Sequence, residues 1–255
     1  MQLPSIIELI LYKSYAELKA EAARLYLSFL WWVIEPVIYM LTFYIVFVFV
    51  FHRGGPGYVP SLLCGLVVWK WFASSVQQTA NSILVNIRLI QRVYVKKIVF
   101  PGTTLVTNTI RFLFVFLILV VFISFSGTPP TVAWFGLPVV LIAQFLFNAA
   151  CGGVAAIFVP FVPDLRMLIE KLLMMGFFLS GIFFNISQIS DKHQKYFLLN
   201  PMMVLIEEYR NILLKGNWPN WQRLGIIILV SIIGCFVAYV GMERYDRQYP
   251  KVLMQ

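Results

Sequence analysis

The chain has 255 residues, of which 60% are hydrophobic and 12% charged, with a formal net charge of +9. An ordinary soluble domain is about 45–50% apolar and about 25% charged, so this composition leaves no room for a separate soluble enzyme domain and points to one membrane domain. The basic residues are scattered among apolar stretches, which fits loop topology in a membrane protein and not a nucleic-acid surface.

The chain opens on a helix signal. Ser5 is followed three residues later by Glu8, the spacing of a capping box. Ile7, Leu11, Tyr15, Leu18, Ala22 and Leu25 then recur at helical spacing, with Lys13, Glu17, Glu21 and Arg24 on a different face. That pattern predicts a helix lying flat in the membrane interface, or one packed on a partner protein. Tyr12, Lys13, Tyr15, Lys19 and Arg24 are its candidate interface residues. The charges interrupt any apolar signal-peptide core, so residues 1–29 read as a retained cytoplasmic segment.

Six apolar spans follow, at about 30–51, 61–83, 103–125, 135–159, 172–186 and 224–242, each judged against the roughly 20 residues a crossing helix needs. They make a membrane domain of residues 30–243 followed by a polar tail, 244–255. Gly and Pro residues punctuate the turns, as at Gly54, Gly55 and Pro56, and at Pro129 and Pro130. With the N-terminus inside, the inner segments hold twelve basic residues and the outer ones six. The short loops therefore place both termini in the cytoplasm.

No sequence pattern for nucleotide or metal chemistry is present. There is no phosphate-binding loop and no zinc-protease or hydrolase motif, and Cys64, Cys151 and Cys235 read as packed free thiols. Residues 86–97 form the most informative loop. Arg88, Arg92 and Lys96 lie four apart, on one face of a predicted helix, while Leu89, Ile90, Val93 and Tyr94 supply an apolar face. Such a helix could dock on a soluble motor or be held by anionic headgroups; the pattern fits both.

Trp32, Tyr39, Phe43 and Phe47 fall near one face of span one, and Trp69 and Phe72 cluster in span two. They are candidates to line a path for sugars, because aromatic rings combine an apolar body with a polar handle. Interface anchoring and lipid contact fit the same rings. Glu35, Lys70 and Arg111 place charge in or near spans, where it faces a bundle interior or an aqueous cavity. Arg111 is the deepest and joins the channel-lining candidates. Residues 185–221 alternate polar and apolar character and fit two short helices dipping into the outer leaflet, or a surface loop.

At these residues the chain resembles the membrane subunits of ABC exporters for O-antigen and capsular polysaccharide. The likeness includes Leu30, Trp31, Trp32, Glu35 and Pro36 entering span one, and Gly65, Trp69 and Phe72 in span two. It continues through Asn86, Leu89, Ile90, Phe100 and Pro101, then Asp164 and Leu165, then residues 178–182, and ends at Asn200, Pro201, Tyr209, Arg210 and Gly216. Pro163 stands where many of that family have arginine, and Gly181 where many have proline. The resemblance implies an all-α fold of six transmembrane helices with an interface helix, a cytoplasmic coupling helix and short periplasmic gate helices. It implies a non-enzymatic permease, a homodimer, in the bacterial inner membrane. Two separate ATPase subunits would bind the ATP and Mg, this chain holding no cofactor. The cargo would be a polysaccharide on undecaprenyl pyrophosphate, O-antigen first, with capsule or teichoic acid export as the alternative and a membrane enzyme of glycan assembly as the reading from another class. It further implies that Asn86, Arg88, Leu89, Arg92, Val93, Tyr94 and Lys96 couple to the motor, and that Asn200, Pro201, Tyr209 and Arg210 form an outer gate.

Overall fold

The computed structural model describes residues 5–24, 34, 37–38, 41–42, 45–50, 57–126, 129–184, 186 and 190–249. Among them every regular element is helical: α1 Ile6–Arg24, a π-helical stretch Ile45–Val50, α2 Tyr58–Val85, α3 Ile87–Arg92, α4 Val99–Phe125, a 3-10 turn Val132–Gly136, α5 Leu137–Phe158, α6 Leu165–Leu179, α7 Asp191–Phe197, α8 Pro201–Leu213 and α9 Trp221–Tyr245. Four helices are long and apolar enough to cross a membrane, those built on α2, α4, α5 and α9. Half of the first predicted span lies outside the described residues, including Trp32, Glu35, Tyr39 and Phe43; of Phe47 only the backbone, in the π-helical stretch, is described.

Spans two, three, four and six match the predicted segments to within a few residues at each end. Span five differs. Its helix runs Leu165–Leu179 and not 172–186, because Ser180 and Gly181 end it. Gly181 sits at φ +71°, a left-handed conformation that favours glycine and that proline, locked near −65°, cannot adopt.

The helices pack around α2, which lies against α4, α5, α6 and α8. Its buried face runs from Leu62 to Ile83 and forms the main core with Phe112, Phe116, Val140, Ala143, Ile206 and Tyr209. Helix α9 packs on α5 through small residues. A methyl group on Gly234 would fall 2.7 Å from Ala150 Cβ, and one on Gly153 would fall 2.9 Å from Ala238 Cβ. Small residues let helix backbones approach this closely where no hydrophobic effect drives them together. The α2–α5 seam is polar: Gln144 Nε2 donates to Val68 O at 2.9 Å, while buried Asn148 has neither amide atom paired among the described residues.

The opening helix is capped as its spacing predicts. Ser5 N–H donates to Glu8 Oε2 at 2.8 Å, and Glu8 N–H to Ser5 Oγ at 3.2 Å. It docks on the bundle by the side opposite its apolar stripe. The charged face lies on α4, with Ser14 Oγ donating to Thr103 O at 3.3 Å and Gly102 leaving room for Ile10. Ile7, Leu11 and Tyr15, the apolar stripe, point away and are exposed. Pairing explains this. Lys13 is bonded to Glu17, and Glu21 to Arg111 of α4, so the charges neutralise one another against the bundle.

Candidate functional site

The candidate functional surface is the end of the bundle that carries α3. Asn86 makes the corner after α2. Its carbonyl accepts from Leu89 N and Ile90 N, both at 3.0 Å, and its side chain donates to Ser82 O at 2.8 Å. The helix that follows is only six residues long, shorter than the sequence predicts. Val93 is extended, at φ −139° and ψ 137°, because a run of β-branched and aromatic residues disfavours another helical turn and the chain must reset before α4, with Pro101 near its start. Lys96 therefore does not share a helical face with Arg88 and Arg92. Arg88, Leu89, Arg92, Val93 and Tyr94 are exposed, whereas Ile90 is buried. The outward surface is thus two arginines flanked by three apolar side chains, a suitable patch for a protein groove.

What holds this loop was not legible in advance. Asp246, just past α9, lies beneath it: Oδ2 accepts from Tyr94 OH at 2.9 Å and Oδ1 from Lys97 N at 2.9 Å. Lys97 Nζ lies 3.8 Å from the same carboxylate and 4.6 Å from the Tyr94 ring centroid. Lys96 Nζ is 4.0 Å from Glu243. The hydrogen bond to Asp246, and then its charge, push the Tyr94 hydroxyl above its ordinary pKa. Tyr249 is fully buried with Ile83, Ile90 and Phe100, and its hydroxyl reaches Ile157 O at 3.4 Å. Burial is the main cause that raises its pKa as well. A cleft of about 520 Å³ opens beside the clasp, lined by Ile6, Lys96, Lys97, Tyr239, Arg244 and Arg247 among others. The sequence signal available was Asp246, an acid flanked by Arg244 and Arg247 in a tail read only as polar.

The other predicted sites sit elsewhere. Asn200 caps two helices: its Oδ1 accepts from Met202 N at 3.0 Å at the start of α8, and its Nδ2 donates to Leu179 O at 3.2 Å at the end of α6. Pro201 follows at the first helical position, where its missing N–H costs nothing. Helix α8 is no surface loop; nearly all its side chains are buried. Arg210 lies within it and donates to the carbonyls of Ser61, Gly181, Ile182 and Phe184. Tyr209 is fully buried, its ring 5.8 Å from that of Phe116. Trp69 and Phe72 are buried inside the bundle, packed on Phe177 and Phe147 respectively. Arg111 is half-buried and donates to Glu21 and, at 3.1 Å, to Asn108 Oδ1. Of the interface candidates, Tyr12, Tyr15 and Lys19 are exposed and Lys13 is half-buried, over the Phe100 ring, while of Arg24 only the backbone, at the end of α1, is described.

Known proteins resemble this chain in sequence over most of its length. The ABC-2 type transporter family model matches residues 15–214, a stretch running from α1 through α8. The chain belongs to the ABC-2 type transporter family. Relatives cover nearly all of it. One is the O-antigen export system permease protein RfbA of Myxococcus xanthus, 30% identical over 91% of this chain and 90% of the relative. RfbA of Klebsiella pneumoniae is 24% identical over 95% and 92%. The polysialic acid transport protein KpsM of Escherichia coli is 24% identical over 90% and 89%. The ABC-2 match includes α3 and the loop to α4, so the clasped segment lies within the family's shared region, while Asp246 and Tyr249 lie beyond it.

Proposed function

We propose that this chain is the permease subunit of an exporter that moves a lipid-linked polysaccharide, O-antigen first, across the bacterial inner membrane, driven by a separate ATPase. The observation that carries the reading is the full-length similarity to two kinds of polysaccharide export protein. The exposed Arg88, Leu89, Arg92 and Val93 supply a docking surface for the motor, and no phosphate-binding loop exists in this chain to replace one. In this reading two copies assemble with two ATPase subunits, which hold the ATP and Mg. Both termini lie in the cytoplasm, α1 rests its apolar stripe in the lipid interface, and the α7 and α8 region forms the outer gate. The first span and neighbouring aromatic residues line the path of the glycan. A capsular polysaccharide is the second reading, supported by the KpsM similarity.

The test is genetic and biochemical together. Deleting the gene should remove long surface glycan and leave lipid-linked glycan inside the cell. Arg88→Glu with Arg92→Glu should abolish export while the protein still inserts. Normal surface polysaccharide in the deletion strain, or in the double variant, would overturn the proposal.

A further inference from the structure

The residues after the last span grip the α3 loop from outside its own connection, beside the weaker Lys96–Glu243 pair at the end of α9. Asp246 accepts one hydrogen bond from a side chain, Tyr94, and one from backbone, Lys97 N. Both involve a carboxylate, and charge-assisted bonds are roughly twice as strong as neutral ones. Tyr249 fills a buried cluster made by the end of α2, by α3 and by the first turn of α4. Its ring also lies 5.2 Å from that of Phe161, just past α5. The tail therefore touches the end of every helix that converges on the loop.

Helix α9 is in turn seated on α5 by near-contact of backbones at Gly234 and Gly153. A push on the exposed face of α3 has a non-covalent route into that pair: Ile90 bears on Tyr249, while Tyr94 and Lys97 pull on Asp246. Packed interiors resist compression and transmit displacement.

We infer that Asp246 and Tyr249 form a strut that passes movement of the α3 loop to the α5–α9 pair, and so are positioning residues for motor coupling. The inference rests on the permease reading above and goes beyond it, because the strut adds hydrogen bonds and a fully buried ring to a path that otherwise reaches α5 and α9 through the Lys96–Glu243 pair and packing at Ile98 and Phe161.

The experiment uses the full chain co-purified with its ATPase partner, reconstituted in liposomes, with hydrolysis and glycan export measured side by side. Asp246→Ala should still insert and co-purify with the ATPase, but export per ATP hydrolysed should fall by about tenfold, in the range that mutations along coupling networks produce. Asp246→Asn keeps an oxygen that can accept from Lys97 N and should recover most of the loss. Adding Tyr94→Phe to Asp246→Ala should cost little more, since both remove one contact. An Asp246→Ala protein with wild-type export per ATP overturns the inference. So does one that loses insertion or assembly in step with export and is not restored by the asparagine, since the role would then be structural only. A wild-type chain that recruits no nucleotide-hydrolysing partner defeats the permease reading itself, which is a different result.

Discussion

Replacing Arg210 tests how the end of the bundle away from α3 is held. Its guanidinium donates to the carbonyls of Ser61, Gly181, Ile182 and Phe184, at 2.7 to 3.3 Å. Three of these belong to the turn after α6, where no helix satisfies them. Arg210→Met keeps the stem and removes every donor. A buried polar group left unpaired costs about 1–3 kcal/mol, so the three turn carbonyls at the low end amount to about 3 kcal/mol, Ser61 O keeping its place in helix α2. At about 2–4 °C per kcal/mol for a chain of this size, Tm should fall by about 6–12 °C. Arg210→Lys, one charge with a single point of attachment, should fall between. The assay is thermal unfolding in detergent with a thiol-reactive fluorophore, because Cys64 is fully buried and its neighbour Gly65 contacts Arg210. A Met variant within about 2 °C of wild type would refute the reasoning, since that shift corresponds to less than one such bond.

Other outcomes follow from the same geometry. Glu21→Arg and Arg111→Glu should each lower Tm, while the double swap restores most of it, with a coupling of about 1–3 kcal/mol; equal losses in the double and the sum of the singles would exclude the pair. Gly234→Val should separate α9 from α5 and cost about 1–3 kcal/mol by overpacking, read as a lower Tm and new reactivity at Cys235, which lies next to it on α9. The Tyr94–Asp246 bond favours the neutral phenol, so it is fully present below the ordinary tyrosine value of 10.0 and is lost only as pH rises past the raised folded value. Phenolate absorbance should show Tyr94 ionising at lower pH in Asp246→Ala, with Tyr94→Phe identifying its signal.

Much of the bundle was legible because lipid imposes one requirement, long unbroken apolar helices, and spans such as Val99–Phe125 meet it plainly. Local chemistry was legible where a motif is short-range, as with the Ser5 and Glu8 cap. Contacts between distant segments were not. The sequence shows that Arg111 needs an anion, but not that Glu21, ninety residues earlier, supplies it. The same holds for Asp246, 152 residues from Tyr94. Which face of α1 docks on the bundle was likewise not legible, since it rests on mutual neutralisation of Lys13, Glu17, Glu21 and the distant Arg111. The coupling segment looked like one helix because its basic residues keep a four-residue rhythm past Arg92, where Val93 has already left the helix.

The shortness of α6 has a bearing on the surrounding bilayer. Its 15 residues rise about 22 Å at 1.5 Å each, about 8 Å less than a typical hydrocarbon layer. The missing height is supplied by the irregular turn at Gly181 and Ile182, whose oxygens bond a guanidinium instead of water. Without that turn, acyl chains beside the helix would have to shorten or tilt to meet it; with it, a helix too short to cross alone is extended by backbone whose polar groups are already satisfied.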